Sequence, residues 1–403
     1  MSSLPIADAT QDASHTPATL LVCLPSLPPE SLIANLDKLS KVFGEEDLLI
    51  ATPDTLPENM QRPGMELIAM SSERIASGWV LAAADYASAA AVAAQRNAQT
   101  VLLLGGDLYG LPTNALRGLV DGVRGQQMDL VLPRFALRPG SGLVNSALLY
   151  PLTRALFGAN IRFPLPADAA LSARMIQRLA AQRGARPGQS ASLLWPVTET
   201  AIAGYSVREV DAGEAEPPLP QQADFSELFQ SITGSLFADL ESKATFWQRA
   251  RTRPPIAAEP ALPLSNNAAL SAEAMTEVQS MIDTFQLAYA NLQEIWSLVL
   301  PPQSRLALKK LSLQPAASFH VEPQLWARVV YDFALAYRLR NLNRGHLLGA
   351  MMPLYLAWAA SHLLTADNDA ARAERHIAET AACFELERSY LVSRWRWPDR
   401  FNP

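Results

Sequence analysis

Between residues 18 and 135 the chain alternates short leucine- and valine-rich runs with longer stripes of helical period, and few folds accommodate that rhythm. ATLLVCLP (18–25) reads as a buried strand, and PESLIANLDKLSKVF (29–43) places Leu32, Leu36, Leu39 and Val42 on one helical face. DLLIATP (47–53) is a second strand. After an irregular piece, SGWVLAAADYASAAAVAAQRN (77–97) predicts a helix with Ser77 as its N-cap. TVLLLGGD (100–107), TNALRGLVDGVRGQ (113–126) and MDLVLPRF (128–135) continue as strand, helix and strand. This alternation predicts a mostly parallel sheet with helices on both faces. In such sheets ligands sit beyond the carboxyl ends of the strands, where Pro25, Asp54 and Asp107 fall.

The second half has a different character. DAGEAEPPLPQQA (211–223) is an acidic, proline-rich loop, and residues 224–250 carry an amphipathic helical pattern. RTRPPIAAEPALPLSNN (251–267) reads as a proline-rich linker. Beyond it every pattern is helical. Residues 271–300 repeat apolar side chains at Met275, Val278, Ile282, Phe285, Tyr289, Leu292 and Trp296, and further helices cover about 322–340, 344–364 and 367–393. The expected organisation is a polar, aperiodic tail (1–17), a sheet domain (18–215), a linking helix and linker (216–267), and a helical domain (268–403). No repeat of fixed period is present.

Charge and composition narrow the function classes. The net charge is −6, so no field favours nucleic acid, and no lysine occurs between Lys41 and Lys243. Cys23 and Cys383 lie far apart in apolar surroundings without metal-ligand spacing, which fits a reducing cytoplasm. The first basic residue is Lys38, so no signal-peptide n-region precedes an apolar run. LLGAMMPLYLAWAASHLL (347–364) reaches the minimum length of a membrane span, but it contains Pro353 and His362 and is flanked by amphipathic helices. It is expected to be a buried core helix of a soluble chain with no membrane span. There is no G-x-S-x-G and no P-loop.

Three stretches carry a family resemblance. They are VNSALLYPLTRALFGANIRFPLPADAALS (144–172), DFSELFQSITGSLFADLESKATFW (224–247), and LWARVVYDFALAYR and LLGAMMPLYLAWAASHLL within 325–364, followed by CFELERSYLVSRW (383–395). Together they resemble a bacterial glycosyltransferase family of the GT-A fold (family 2-like), related to mannosylglycerate and glucosyl-3-phosphoglycerate synthases. In relatives the first stretch reads roughly N-x-(I/V)-x-Y-P-L-T-R-A-L-(Y/F)-G, then a basic segment, then Gly-Gly-Asp-Phe-Gly-Phe-Ser. The resemblance spans nearly the whole chain after residue 18. It implies a fold of class α/β, with a GT-A (nucleotide-diphospho-sugar transferase, Rossmann-like) sheet domain followed by an all-α C-terminal domain. It also implies transfer of a sugar from a nucleoside-diphosphate donor to an acceptor hydroxyl.

That chemistry gathers charge on the leaving diphosphate, which relatives neutralise with Mg²⁺ or Mn²⁺ held by an Asp-x-Asp motif. By resemblance, Asp107 matches the second aspartate and is the metal candidate, though it could simply cap the turn after its strand, while Gly105 replaces the first. The histidine ligand of relatives would fall near 213–222, yet the chain's five histidines are His15, His320, His346, His362 and His376. The glycine-lysine-glycine segment corresponds to IASGWVL (75–81), which keeps only Gly78; the Gly-Ile-Asp segment corresponds to GQSASLLW (188–195), without an acid. Asp168 matches the aspartate of Gly-Gly-Asp and is the catalytic candidate; it could instead N-cap a helix over 169–182.

Four further residues are donor-binding candidates. Asp54 could accept from a uracil or guanine imide or merely cap its turn. Arg154 could face a phosphate or pair on a helix surface. Arg134 and Arg138, with Arg162 near Asp168, could replace the cation, because a guanidinium forks onto phosphate oxygens and keeps its charge. Trp395 and Trp397, with Arg394 and Arg396, are expected to form a packed C-terminal end or a sugar platform. Two readings result. One is a transferase whose metal is held weakly or not at all; the other is a catalytically degenerate member that pairs with itself or with an active paralogous glycosyltransferase.

Overall fold

The computed structural model describes residues 20–25, 29–44, 47–53, 64–70, 80–105, 110–184, 193–214, 224–249 and 271–398. Seven strands form one sheet: β1 (Leu20–Cys23), β2 (Leu48–Thr52), β3 (Met65–Ala69), β4 (Thr100–Leu104), β5 (Leu130–Arg134), β6 (Asp168–Ser172) and β7 (Val207–Asp211). Their spatial order is β3-β2-β1-β4-β6-β5-β7. All neighbours run parallel except β6, which lies antiparallel between β4 and β5. Around them, α1 (Pro29–Phe43) and α3 (Thr113–Arg124) cover one face, and α2 (Ala83–Arg96) the other. Leu20 and Val22 pack toward the first layer, and Leu21 and Cys23 toward the second, the alternation a doubly covered strand requires. The α/β class with a Rossmann-like sheet and a helical C-terminal half is therefore observed.

Several expected boundaries shift. Met65–Ala69 was expected to be irregular; it pairs with β2 as a partly exposed edge strand. The stretch expected as a helix over 169–182 is strand β6 followed by α5 (Ala173–Gly184). Asp168 thus opens a strand and caps no helix. The alanines of DAALS favour a helix locally, but pairing on both sides with β4 and β5 overrides that preference. Helix α2 starts at Ala83, where the Asp85 carboxylate accepts from the Ala82 N–H at 2.8 Å; Ser77 lies outside the described residues.

A π-helical turn (Asn145–Leu149) leads into α4 (Tyr150–Phe157), which Gly158 ends in the left-handed region at φ 68°. Then come α6 (Pro196–Ala203), α7 (Phe225–Ser242) and α8 (Ala244–Trp247). The remaining elements are all helical: α9 (Ala272–Asn291), α10 (Gln293–Val299), α11 (Pro302–Ser312), α12 (Pro323–Leu339), α13 (Arg344–Ala366), α14 (Ala370–Leu386) and α15 (Arg388–Arg396), apart from one 3₁₀ turn. Helix α13 is long and apolar enough to cross a membrane, yet most of it is buried among the other helices.

One continuous core joins residues 147–157 to α7, α12 and α13. Polar ties reinforce the junction. The Trp326 indole N–H donates to the Ala147 carbonyl at 2.8 Å. Lys243, beyond α7, reaches Glu199 and Asp239 at 2.7 Å each, all three buried.

Candidate functional site

Sheet topology gathers the chemistry-bearing residues at one edge. The carboxyl ends of β1, β2, β4, β5 and β7 and the start of the antiparallel β6 all lie there. The chain order reverses between β1 and β4, which opens a crevice beyond their ends. Asp168 faces Leu104, the last residue of β4, across the ladder, and Arg134 ends β5 opposite Asp211. Asp168 is nearly fully buried. Leu81 joins the same edge through its N–H to the Pro166 carbonyl at 3.3 Å. Asp54, Gly78 and Asp107 lie outside the described residues, although they follow β2, precede Val80 and follow β4 in the chain.

Gly105 decides whether a two-carboxylate metal site fits. Its N–H donates to the Ala167 carbonyl at 2.9 Å, drawing β4 close to the residue before Asp168. A Cβ there would lie 2.7 Å from that carbonyl oxygen and 2.9 Å from a Leu81 methyl. Backbone is what it meets, so no rotamer change relieves the clash. Position 105 is thus sterically closed to a side chain, an aspartate's included, with the backbone as it stands. Among the described residues no cluster of three His, Cys, Asp or Glu side chains could hold a metal.

The candidate arginines divide into two sets. Arg134 is half-buried at the strand end and Arg138 is exposed just beyond it. Arg154 faces no crevice: its Nε and Nη2 fork onto Glu385 of α14 at 2.9 and 3.1 Å, and its Nη1 donates to the Tyr150 hydroxyl at 3.0 Å. The expectation that Arg154 meets a phosphate is thus replaced by a bidentate pair that clamps α4 to the helical half. Arg162 is held likewise, with its Nη2 donating to Ser146 at 3.0 Å and to Glu374 at 3.2 Å.

Two residues absent from the sequence reading emerge at this end. Glu209, on the unforeseen strand β7, accepts from the Arg162 N–H at 2.7 Å and so fixes the segment leading to Asp168. Burial raises its proton affinity, and despite opposing hydrogen bonds and nearby Arg134 and Arg162 its pKa rises to about 7. Lys38 of α1 donates to the Leu111 carbonyl, just before α3. It also lines an open groove of about 380 Å³ with Ala34, Asn35, Asp37 and Lys41. Alternating residues on a short edge strand, V-R-E-V-D, were the signal for Glu209; for Lys38 there was none.

No family model matches the chain, and no curated protein sequence matches it. Among solved structures it is similar to a mannosyltransferase from Pyrobaculum calidifontis in complex with GDP-mannose and Mn²⁺, at 13% identity over 94% of this chain and 87% of that one, with a TM-score of 0.37. It is also similar to a mycobacterial protein, at 14% identity over 56% of this chain and 74% of that one, with a TM-score of 0.34. Both scores fall below 0.5, so the functional reading rests on the chain's own residues.

Proposed function

We propose that the chain is a glycosyltransferase-like protein that binds a nucleoside-diphosphate sugar beyond the ends of β1 and β4. The observation that carries this reading is the placement of Asp168 and Arg134 at one sheet edge, beside the switch in strand order. In the proposed reaction the bond from the anomeric carbon to the diphosphate oxygen breaks with its electron pair on the diphosphate. An acceptor hydroxyl oxygen bonds to that carbon and loses its proton. Arg134 and Arg138 take the developing diphosphate charge, as forked donors that stay ionised. Asp168 takes the proton that the acceptor hydroxyl loses, and Asp54 would accept from the base. Asp107 would orient the ribose or a single metal ion.

A second reading has its own support. The closed position at Gly105 suits a member that keeps the nucleotide crevice without turnover, acting as the partner of an active glycosyltransferase or of a second copy. Incubation with UDP- and GDP-sugars and a panel of acceptors, followed by release of the nucleoside diphosphate, separates the two. Turnover that Asp168→Asn lowers by ~10²-fold or more supports transfer. Nucleotide binding without release by the unaltered chain supports the partner role, and absence of binding sinks both.

A further inference from the structure

The chain is acidic overall, yet arginines gather where four helix ends meet, in the helical half and outside the proposed donor site. Arg338, near the end of α12, stacks on the Trp395 ring at 4.7 Å and donates to the Trp395 carbonyl at 2.6 Å. This holds the end of α12 against the end of α15. Arg396, at the last turn of α15, donates to Gln248 just after α8, through Nε and Nη2 at 3.3 Å each. Arg340 and Arg344 flank the turn into α13 and meet Glu241 of α7 at 3.8 and 2.9 Å. Arg249, next to Gln248, is exposed.

Exposed apolar side chains sit among these charges. Trp395 is buried, as a packed C-terminal end requires, but Trp397 is 62% exposed and Leu339 37%. Arg340 keeps 69% of its side chain in solvent. Arg396 precedes Trp397 in the chain and Arg338 and Arg340 flank Leu339, so these helix ends carry cationic and apolar side chains side by side. A bilayer with anionic headgroups offers the complement: phosphates for the guanidiniums, and an interfacial layer in which tryptophan is the preferred aromatic anchor. A nucleic acid would engage the arginines and could stack on Trp397, but it gives Leu339 nothing to bury against. We infer that this corner, formed by the ends of α8, α12 and α15 and the start of α13, docks the protein peripherally on an anionic membrane surface.

The test is flotation of the full chain with vesicles of phosphatidylcholine alone and of phosphatidylcholine mixed with phosphatidylglycerol. Binding is expected only to the mixed vesicles, and to fall as salt rises. Each arginine near such a surface is worth about a fivefold change in partitioning, so Arg340→Glu with Arg396→Glu is expected to cut binding by well over tenfold. Trp397→Ala is expected to remove the fraction that survives high salt. Unchanged thermal melting shows that these exposed substitutions leave the fold intact. Equal binding to both vesicle types, no binding at low salt, or binding indifferent to charge reversal would overturn the inference. So would capture of a single-stranded oligonucleotide by a chain that leaves vesicles unbound.

Discussion

The two edges of the same sheet use charge in opposite ways. At the amino-terminal edge, Asp129 lies just before β5 and is almost wholly buried. It accepts from the Arg174 guanidinium (2.6 Å from Nη2), from the Ser172 hydroxyl at 2.9 Å, and from the Ser206 N–H and hydroxyl at 3.0 and 3.1 Å. One carboxylate thus ties β5, the end of β6 and the start of β7 together. At the carboxyl-terminal edge, Asp168, Arg134 and Arg138 occupy strand ends and the residues just past them, and Gly105 brings two strands into backbone contact. A carboxylate enclosed by donors on three elements is structural, whereas under the proposed function the charges at the strand ends beside the switch in strand order serve a ligand. The helical half repeats the first pattern, as when Asp332 meets Arg394 and Tyr390 and Glu387 meets Arg328.

Breaking the structural edge should have the largest effect. Asp129→Ala removes the acceptor of the half-buried Ser172 and Ser206 donors and is expected to cost about 2 kcal/mol in urea unfolding, with nucleotide affinity unchanged. Burial alone would raise the Asp129 pKa, but Arg174, Ser206 and Ser172 outweigh it and hold the group at about 2. The folded pKa lies below the unfolded value near 3.9, so this stabilisation is present above about pH 4 and disappears as pH falls toward 2. A pH series of unfolding midpoints should show that loss in the unaltered chain and a weaker one in Asp129→Ala. If Asp129→Ala instead weakens nucleotide binding, the division between the edges fails.

The next effect concerns Gly105. Gly105→Asp rebuilds the pair of aspartates around one residue, yet the added atoms meet the Ala167 carbonyl. We expect a loss of about 2 kcal/mol and no gain in Mn²⁺-dependent binding. Recovery of tight Mn²⁺ binding without loss of stability would show that the strand can open there.

A smaller and sharper contrast comes from two arginines. Arg134→Ala should lower donor affinity about tenfold while moving stability by less than about 0.5 kcal/mol. Arg154→Ala should do the reverse, lowering stability through Glu385 and leaving donor affinity alone. Calorimetry and denaturation on the same two variants check both halves.

Much of this contrast was legible in the sequence and part was not. The alternation from Leu20 to Arg134 announced the central parallel strands because β1 and β4 are fully buried apolar runs and β5 is one up to Arg134. Strands β3 and β7 escaped because they are short, half-exposed edges, and β6 because its alanines mimic a helix. The resemblance pointed to Asp168, and the need for a metal-free cation beyond a strand pointed to Arg134; the fold places both at one edge. It also suggested Arg154, whose fate depends on Glu385, 231 residues away in sequence. Nor could the residue type at 105 reveal that its neighbour's backbone leaves no room for a side chain.

The most direct test of the ligand edge is calorimetric titration of UDP, GDP and their sugars into the full chain, in Mn²⁺ and again in EDTA. The account predicts binding of one nucleotide series that survives EDTA and weakens in Arg134→Ala. Binding abolished by EDTA would contradict the arginine-neutralised site, and no binding to any nucleotide would contradict the account as a whole.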